Sequence, residues 1–174
     1  KLIKNVHIVT PGSTFRGFIG IAQGKIEILG SGSFLPEAKD VIDGQENHVI
    51  PGVVDPEAHL ASVKSYREDI ETESRAAAAA GVTSWGLMQS STIMGQPIGA
   101  EVSPEEVALY GDVFNVFKEM SEKYSMVDFF LTPKILKDAH AAEIPKLASQ
   151  YGVTSFKIQL HLKTPEAVSK FWTT

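Results

Sequence analysis

The chain has 174 residues, 43% of them hydrophobic, and no cysteine. Its 16 basic and 21 acidic side chains leave a formal charge of −5, which argues against a broad electrostatic grip on nucleic-acid backbones. Without cysteine there is no disulfide framework and no thiolate, so any metal must rest on His, Asp, Glu or a rarer ligand.

No run approaches the ~20 consecutive apolar residues that span a bilayer, so no membrane segment is expected. The opening KLIKNVHIVTPG alternates like a strand and lacks the basic flank and apolar block of a secretory signal, so a cytoplasmic location is the expectation. Over residues 1–50 the runs LIKNVHIVT, GFIGIAQ, KIEILG, DVIDG and NHVIP, punctuated by glycine, predict a small sheet. The GSG at 30–32 is not followed by the Lys-Ser/Thr of a phosphate-binding loop, so these glycines read as turn residues.

From residue 51 the rhythm becomes strand, helix, strand, helix. VIPGVVDPEAHL reads as a strand, EDIETESRAAAAAG as a helix and GVTSWGLMQ as a second strand, with Ala76 to Ala80 expected to lie close against the sheet. Ser103, Pro104 and Glu106 then have the spacing of a helix start. Val107, Tyr110, Val113, Phe114, Phe117 and Met120 fall on one face of that helix. MVDFFLTPK is a third strand, and AAEIPKLASQYG a helix with Pro145 expected near its start, since an interior proline costs ~3 kcal/mol. SFKIQL is a fourth strand, and TPEAVSKFW opens another helix with Thr164 as cap and Pro165 behind it. Four βα units in series imply parallel strands with right-handed crossovers.

In such architectures chemistry gathers where strands end at their carboxyl side. The first of these strands ends Asp55-Pro56-Glu57-Ala58-His59, and alternation puts Glu57 and His59 on one side, as a metal pair or as a solvated strand end. The fourth strand puts Ser155, Lys157 and Gln159 on one face, with Lys157 in mid-strand. An ammonium there is costly unless paired, deprotonated or chemically modified. Of the other histidines, His7 and His48 read as exposed sheet positions and His140 as a solvated helix start, while His161 lies near the same rim as Lys157. No serine sits in a Gly-x-Ser-x-Gly elbow.

The segment VIDGQENHVIPGVVDPEAHL resembles the entry into the barrel of the cyclic-amide hydrolases of the amidohydrolase superfamily, which include dihydropyrimidinases, hydantoinases, allantoinases and dihydroorotases. NVHIVTPG and GKIEILG look like their N-terminal strands, and EDIETESRAAAAAGVTSW like their first helix and second strand. GVTSFKIQL looks like the segment bearing their carboxylated lysine. The resemblance implies a (β/α)8 TIM barrel with a small β-sandwich: 1–50 as N-terminal sandwich strands and 51–174 as the first four βα units. A full barrel needs ~250 residues, so the chain is expected to be a truncated N-terminal part.

The resemblance also implies a divalent metal, zinc or else manganese, held by Glu57, His59 and a carbon-dioxide-derived carbamate on Lys157. Two such ions ~3.5–4 Å apart generate hydroxide and polarise an amide carbonyl. Glu57 departs from the family's His-x-His, putting a carboxylate where an imidazole is usual. The remaining ligands and the acid/base aspartate are expected beyond residue 174. The implied partner is a small cyclic amide, with no nucleic acid and no membrane, in a homo-oligomer that is tetrameric by the same resemblance. The competing expectation is a non-catalytic homologue acting as an oligomeric interaction protein.

Overall fold

The computed structural model describes residues 1–61, 64–89 and 108–158. The chain divides into two compact units, Lys1–Pro51 and Gly52–Thr174.

In the first unit β1 (Leu2–Val9), β2 (Thr14–Ala22), β3 (Lys25–Gly30) and β4 (Val41–Val49) form one sheet in the order β3-β2-β1-β4. Gln23 and Gly24 join β2 to β3 with φ of 50° and 75°, the two-residue turn whose twist matches that of the flanking strands. β4 runs parallel to β1 as one strand where two runs were expected. The break between DVIDG and NHVIP is a bulge: the register shifts between Lys4 and Val6, and Asn5, Gln45 and Glu46 take positive φ. Around it Arg16 donates through Nε and Nη2 to the Glu46 carboxylate, and its Nη2 also reaches Asn5 Oδ1 at 3.2 Å. Val6, Ile8 and Ile19 form the core of this sheet.

In the second unit β5 (Val53–His59), β6 (Val82–Gln89) and β7 (Asp128–Pro133) are parallel and ordered β5-β6-β7. Beside β7, where the fourth strand was expected, Lys134 and Lys157 form a parallel bridge. The Lys157 amide donates to Pro133 O at 2.9 Å and the Ile135 amide to Lys157 O at 2.9 Å. Gln159, His161, the Thr164–Pro165 helix start and the Ser103, Pro104, Glu106 pattern lie outside the described residues.

Helices α1 (Tyr66–Ala79), α2 (Tyr110–Tyr124) and α3 (Asp138–Tyr151) supply the other half of the core. α1 opens with a capping box between Ser65 and Glu68. It buries Tyr66, Ile70 and Ser74, and Ala77 packs on the same core. The rest of the alanine run is exposed, contrary to expectation, because consecutive residues wrap around the helix and few of them fall in a buried stripe.

α2 begins at Tyr110, later than the Ser103 signal implied. Its buried stripe is Tyr110, Phe114, Phe117 and Ser121, with Val113 and Met120 packed against the core as the periodicity predicts. Tyr66 Oη and Ser121 Oγ are 2.8 Å apart, and Ser121 donates to Phe117 O at 2.7 Å, so both buried hydroxyls are paired.

α3 corrects two expectations. It starts at Asp138, so Pro145 lies inside the helix, where it removes one helical hydrogen bond; fully buried Leu147 anchors the following turn. His140, expected in solvent, is fully buried against the Tyr110 ring at 4.9 Å. Its Nδ1 accepts from the Leu136 amide at 3.3 Å while Nε2 lies 3.0 Å from Ala108 O, which fixes the neutral tautomer with its proton on Nε2. The helix-start pattern placed His140 in the right element but could not reveal that this turn faces α2. Among the described residues no helix is long and apolar enough to cross a membrane.

Candidate metal centre

The carboxyl end of β5 is irregular, and the irregularity aims Glu57. Asp55 pairs with Trp85 and Ala58 with Leu87, so three steps along β5 match two along β6. The Asp55 carboxylate closes the bulge by accepting from the Glu57 amide at 3.0 Å. Gly86 faces the bulge, and a Cβ there would fall on the Pro56 carbonyl oxygen. A small residue is therefore what lets β5 come this close.

The three expected ligands meet. His59 Nε2 lies 3.2 Å from Glu57 Oε1 and 3.4 Å from Lys157 Nζ, and Lys157 forms an ion pair with Glu57. The pairing is how this structure answers the cost of a mid-strand ammonium. Two strands, β6 and β7, lie between β5 and Lys157. In a flat sheet the outer strands of such a set would be ~14 Å apart, so contact between these side chains requires the sheet to curl toward them.

His59 is held below the ordinary imidazole range, first by burial and then by the positive charge of Lys134. A neutral ring keeps a lone pair for a metal. Among the described residues no three His, Asp or Glu side chains are grouped to hold a metal, so Glu57 and His59 need Lys157 as the third donor. An amine is a poor metal ligand when protonated, whereas its carbamate offers two anionic oxygens. A neutral imidazole, a carboxylate and a lysine convertible to a carbamate fit a divalent ion.

Sequence reasoning missed Lys134. It follows β7, and its bridge to Lys157 puts the two side chains on the same face of the sheet. Burial lowers its pKa. Its backbone is clamped by one side chain: Tyr110 Oη donates to Lys134 O and accepts from the Lys134 amide, both at 2.9 Å. On the same face Thr132 Oγ1 and Ser155 Oγ are 2.9 Å apart. The run DFFLTPK ends in this lysine, so the strand-end rule that singled out Glu57 also points to it.

No family model matches the chain. D-hydantoinase of Geobacillus stearothermophilus is 28% identical over 168 residues, covering 94% of this chain and 33% of that protein. A dihydroorotase of Aquifex aeolicus is 35% identical over 85 residues, covering 47% of this chain and 20% of the relative. A crystal structure of D-hydantoinase superposes with a TM-score of 0.71 at 26% identity, covering 95% of this chain and 34% of that one. The chain is similar to hydantoinases over nearly its whole length and to dihydroorotases over about half of it, which supports a likeness to the cyclic-amide hydrolase group of the amidohydrolase superfamily. L-hydantoinase (dihydropyrimidinase) from Arthrobacter aurescens shares the fold, with a TM-score of 0.74 at 23% identity over 99% of this chain and 35% of that one. The chain spans about a third of the length of the hydantoinases it matches, and its mixed α/β fold is theirs.

Proposed function

We propose that the protein containing this chain hydrolyses the C–N bond of a cyclic amide or ureide, using a divalent metal held by Glu57, His59 and carbamylated Lys157. The observation that carries the reading is the convergence of these three side chains at the carboxyl ends of parallel strands. It is supported by similarity to proteins named hydantoinase and dihydroorotase. In this reading residues 51–174 are the first half of a (β/α)8 barrel and residues 1–50 part of a β-sandwich. The curl that lets β5 and Lys157 share one site is of the kind a closing barrel needs.

Each residue has a defined task. Unprotonated Lys157 Nζ adds to carbon dioxide, forming an N–C bond and releasing one proton to solvent, which leaves a two-oxygen anion at the end of the side chain. Glu57, no longer needed as the lysine's counter-ion, contributes its carboxylate to the metal. His59 contributes the Nε2 lone pair. A bound divalent ion, zinc or else manganese, supplies an activated water at neutral pH and polarisation of the amide carbonyl. The carboxylate of Glu57 adds an oxygen donor, which suits manganese better than a second imidazole would.

The test is metal analysis and ring-opening assays of the complete protein expressed with zinc or manganese and bicarbonate. The reading requires at least about one divalent ion per chain and hydrolysis of a hydantoin, dihydropyrimidine or dihydroorotate ring. A metal-free, inactive protein that nevertheless oligomerises would instead favour the interaction-protein alternative.

A further inference from the structure

Lys157 reaches the centre only if its segment is in the right frame. In β7 the frame is regular: Phe129 and Leu131 pack on the helix-facing core, so Thr132 falls on the opposite face, and Lys134 two residues after it. The segment before Lys157 breaks such alternation. Val153 and Phe156 both pack on the helix-facing core although they are three residues apart. Counting by twos from Val153 would send Ser155 and Lys157 into that core, whereas counting from Phe156 sends them to the centre. The two apolar anchors disagree, and the one that favours the centre is the weaker, since Phe156 is half-buried and Val153 only 7% exposed.

A pair of hydroxyls breaks the tie. Thr132 is 4% exposed, and its Oγ1 lies 2.9 Å from Ser155 Oγ. The pair sits two residues before the Lys134–Lys157 bridge on both sides, in the register that the parallel bridge sets. Among the described residues the main-chain bonds that join this segment to the end of β7 are both made at Lys157, by its amide to Pro133 O and from the Ile135 amide to its carbonyl. Main-chain bonds alone do not resist a slip, because each residue offers the same amide and carbonyl. A hydroxyl opposite a hydroxyl exists in one frame only.

We propose that Thr132 and Ser155 are positioning residues for the metal centre: their hydroxyl pair selects the frame in which Lys157 faces Glu57 and His59, and so sets how readily Lys157 is carbamylated. The inference rests on the metal-hydrolase reading above and assigns neither hydroxyl a contact with metal or substrate. In the other frame the Lys157 ammonium would enter an apolar layer, so a segment without the pair detaches instead of flipping. Lys157 then spends less time beside Glu57 and His59, and more bicarbonate is needed to trap it as the metal-bound carbamate.

The experiment titrates bicarbonate against zinc loading of the complete protein, read by elemental analysis, for the parent, Ser155→Ala, Thr132→Val and Thr132→Ser. Valine keeps the shape of Thr132 and removes its hydroxyl; serine keeps the hydroxyl. The bicarbonate concentration for half-loading is expected to rise roughly tenfold in Ser155→Ala and in Thr132→Val, and to stay near the parent value in Thr132→Ser. Combining Thr132→Val with Ser155→Ala should be no worse than the more impaired single change, because both remove the same bond. An unmoved half-loading point in Ser155→Ala and Thr132→Val overturns the inference and leaves the metal-hydrolase reading intact. Thr132→Ser as impaired as Thr132→Val overturns it too, since the hydroxyl would not be the cause. A parent that takes up no zinc at any bicarbonate concentration brings down both. Thermal unfolding of each variant separates the roles: a pair that only stabilised the fold would lower the unfolding temperature and leave the bicarbonate dependence unchanged.

Discussion

Glu143 caps a helix that is not its own. From α3 its carboxylate accepts the Tyr110 amide at 2.8 Å and the Gly111 amide at 2.6 Å, the first two free donors of α2. The α2 cap residue, Leu109, makes no side-chain bond to them. A negative group at this end also complements the helix dipole. Glu143→Ala in the complete protein is expected to lower unfolding free energy by ~1–2 kcal/mol, and Glu143→Gln by less, since an amide keeps one acceptor. Equal stability of parent and Glu143→Ala in denaturant titrations would show that solvent replaces the cap.

His140 makes stability depend on pH. Burial, the largest cause, lowers its pKa from the ordinary 6.5, so the unfolded chain takes up this proton more readily than the folded one. The His140 contribution is therefore complete above pH 6.5 and is lost as pH falls from there toward the lower folded value. In His140→Gln this part of the slope should disappear. Denaturant midpoints measured at several pH values between 7.5 and 5 check it; a variant whose slope matches the parent would assign the effect to other groups.

Two residues past His59 the backbone turns into the left-handed region at Ala61, with φ of 60°. The Asp69 carboxylate, one turn into α1, accepts the Ala61 amide at 2.9 Å. An L-residue in this conformation costs ~1–2 kcal/mol, so Ala61→Gly should be neutral or stabilising by up to ~1 kcal/mol after the glycine's greater unfolded-state entropy is counted. Asp69→Ala should cost ~1–2 kcal/mol. Combined, the two changes are expected to be less than additive, because glycine makes the turn without help. Strict additivity in a double-mutant cycle would mean that Asp69 does not hold this turn.

Replacing Lys157 by alanine removes the only residue that brings a third donor to Glu57 and His59 among the described residues. Metal affinity in the complete protein should fall by more than the ~10–100-fold typical of losing a supporting group around a metal, and added bicarbonate should no longer increase metal uptake. Retained bicarbonate dependence would place the carbamate on another lysine.

The parallel βα order, the α2 stripe and the meeting of Glu57, His59 and Lys157 were all legible in the sequence. Apolar periodicity and strand-end position are local properties that survive folding, and the family resemblance supplied the third partner. What stayed hidden depends on pairs far apart in sequence. His140 looked solvated because nothing near it announces Tyr110 and Ala108 as neighbours, and the Ser103 signal could not reveal that Glu143 caps a start at Tyr110. Pro145 was misplaced because propensity rates the proline and ignores the buried leucine that follows it. Lys134 was missed for a different reason: its strand-end position was visible, but the bridge to Lys157 that gives it meaning was not.

Tyr110 does for Lys134 what a neighbouring strand does for any sheet residue, accepting its N–H and donating to its carbonyl. Burial keeps the phenol protonated well beyond neutrality, so this two-way contact persists across the whole working range. A single hydroxyl thus extends ordered backbone past the last residue of β7. Removing it in Tyr110→Phe would leave the aromatic core nearly intact while freeing Lys134 to move, which separates the rigidity of the lysine from its charge.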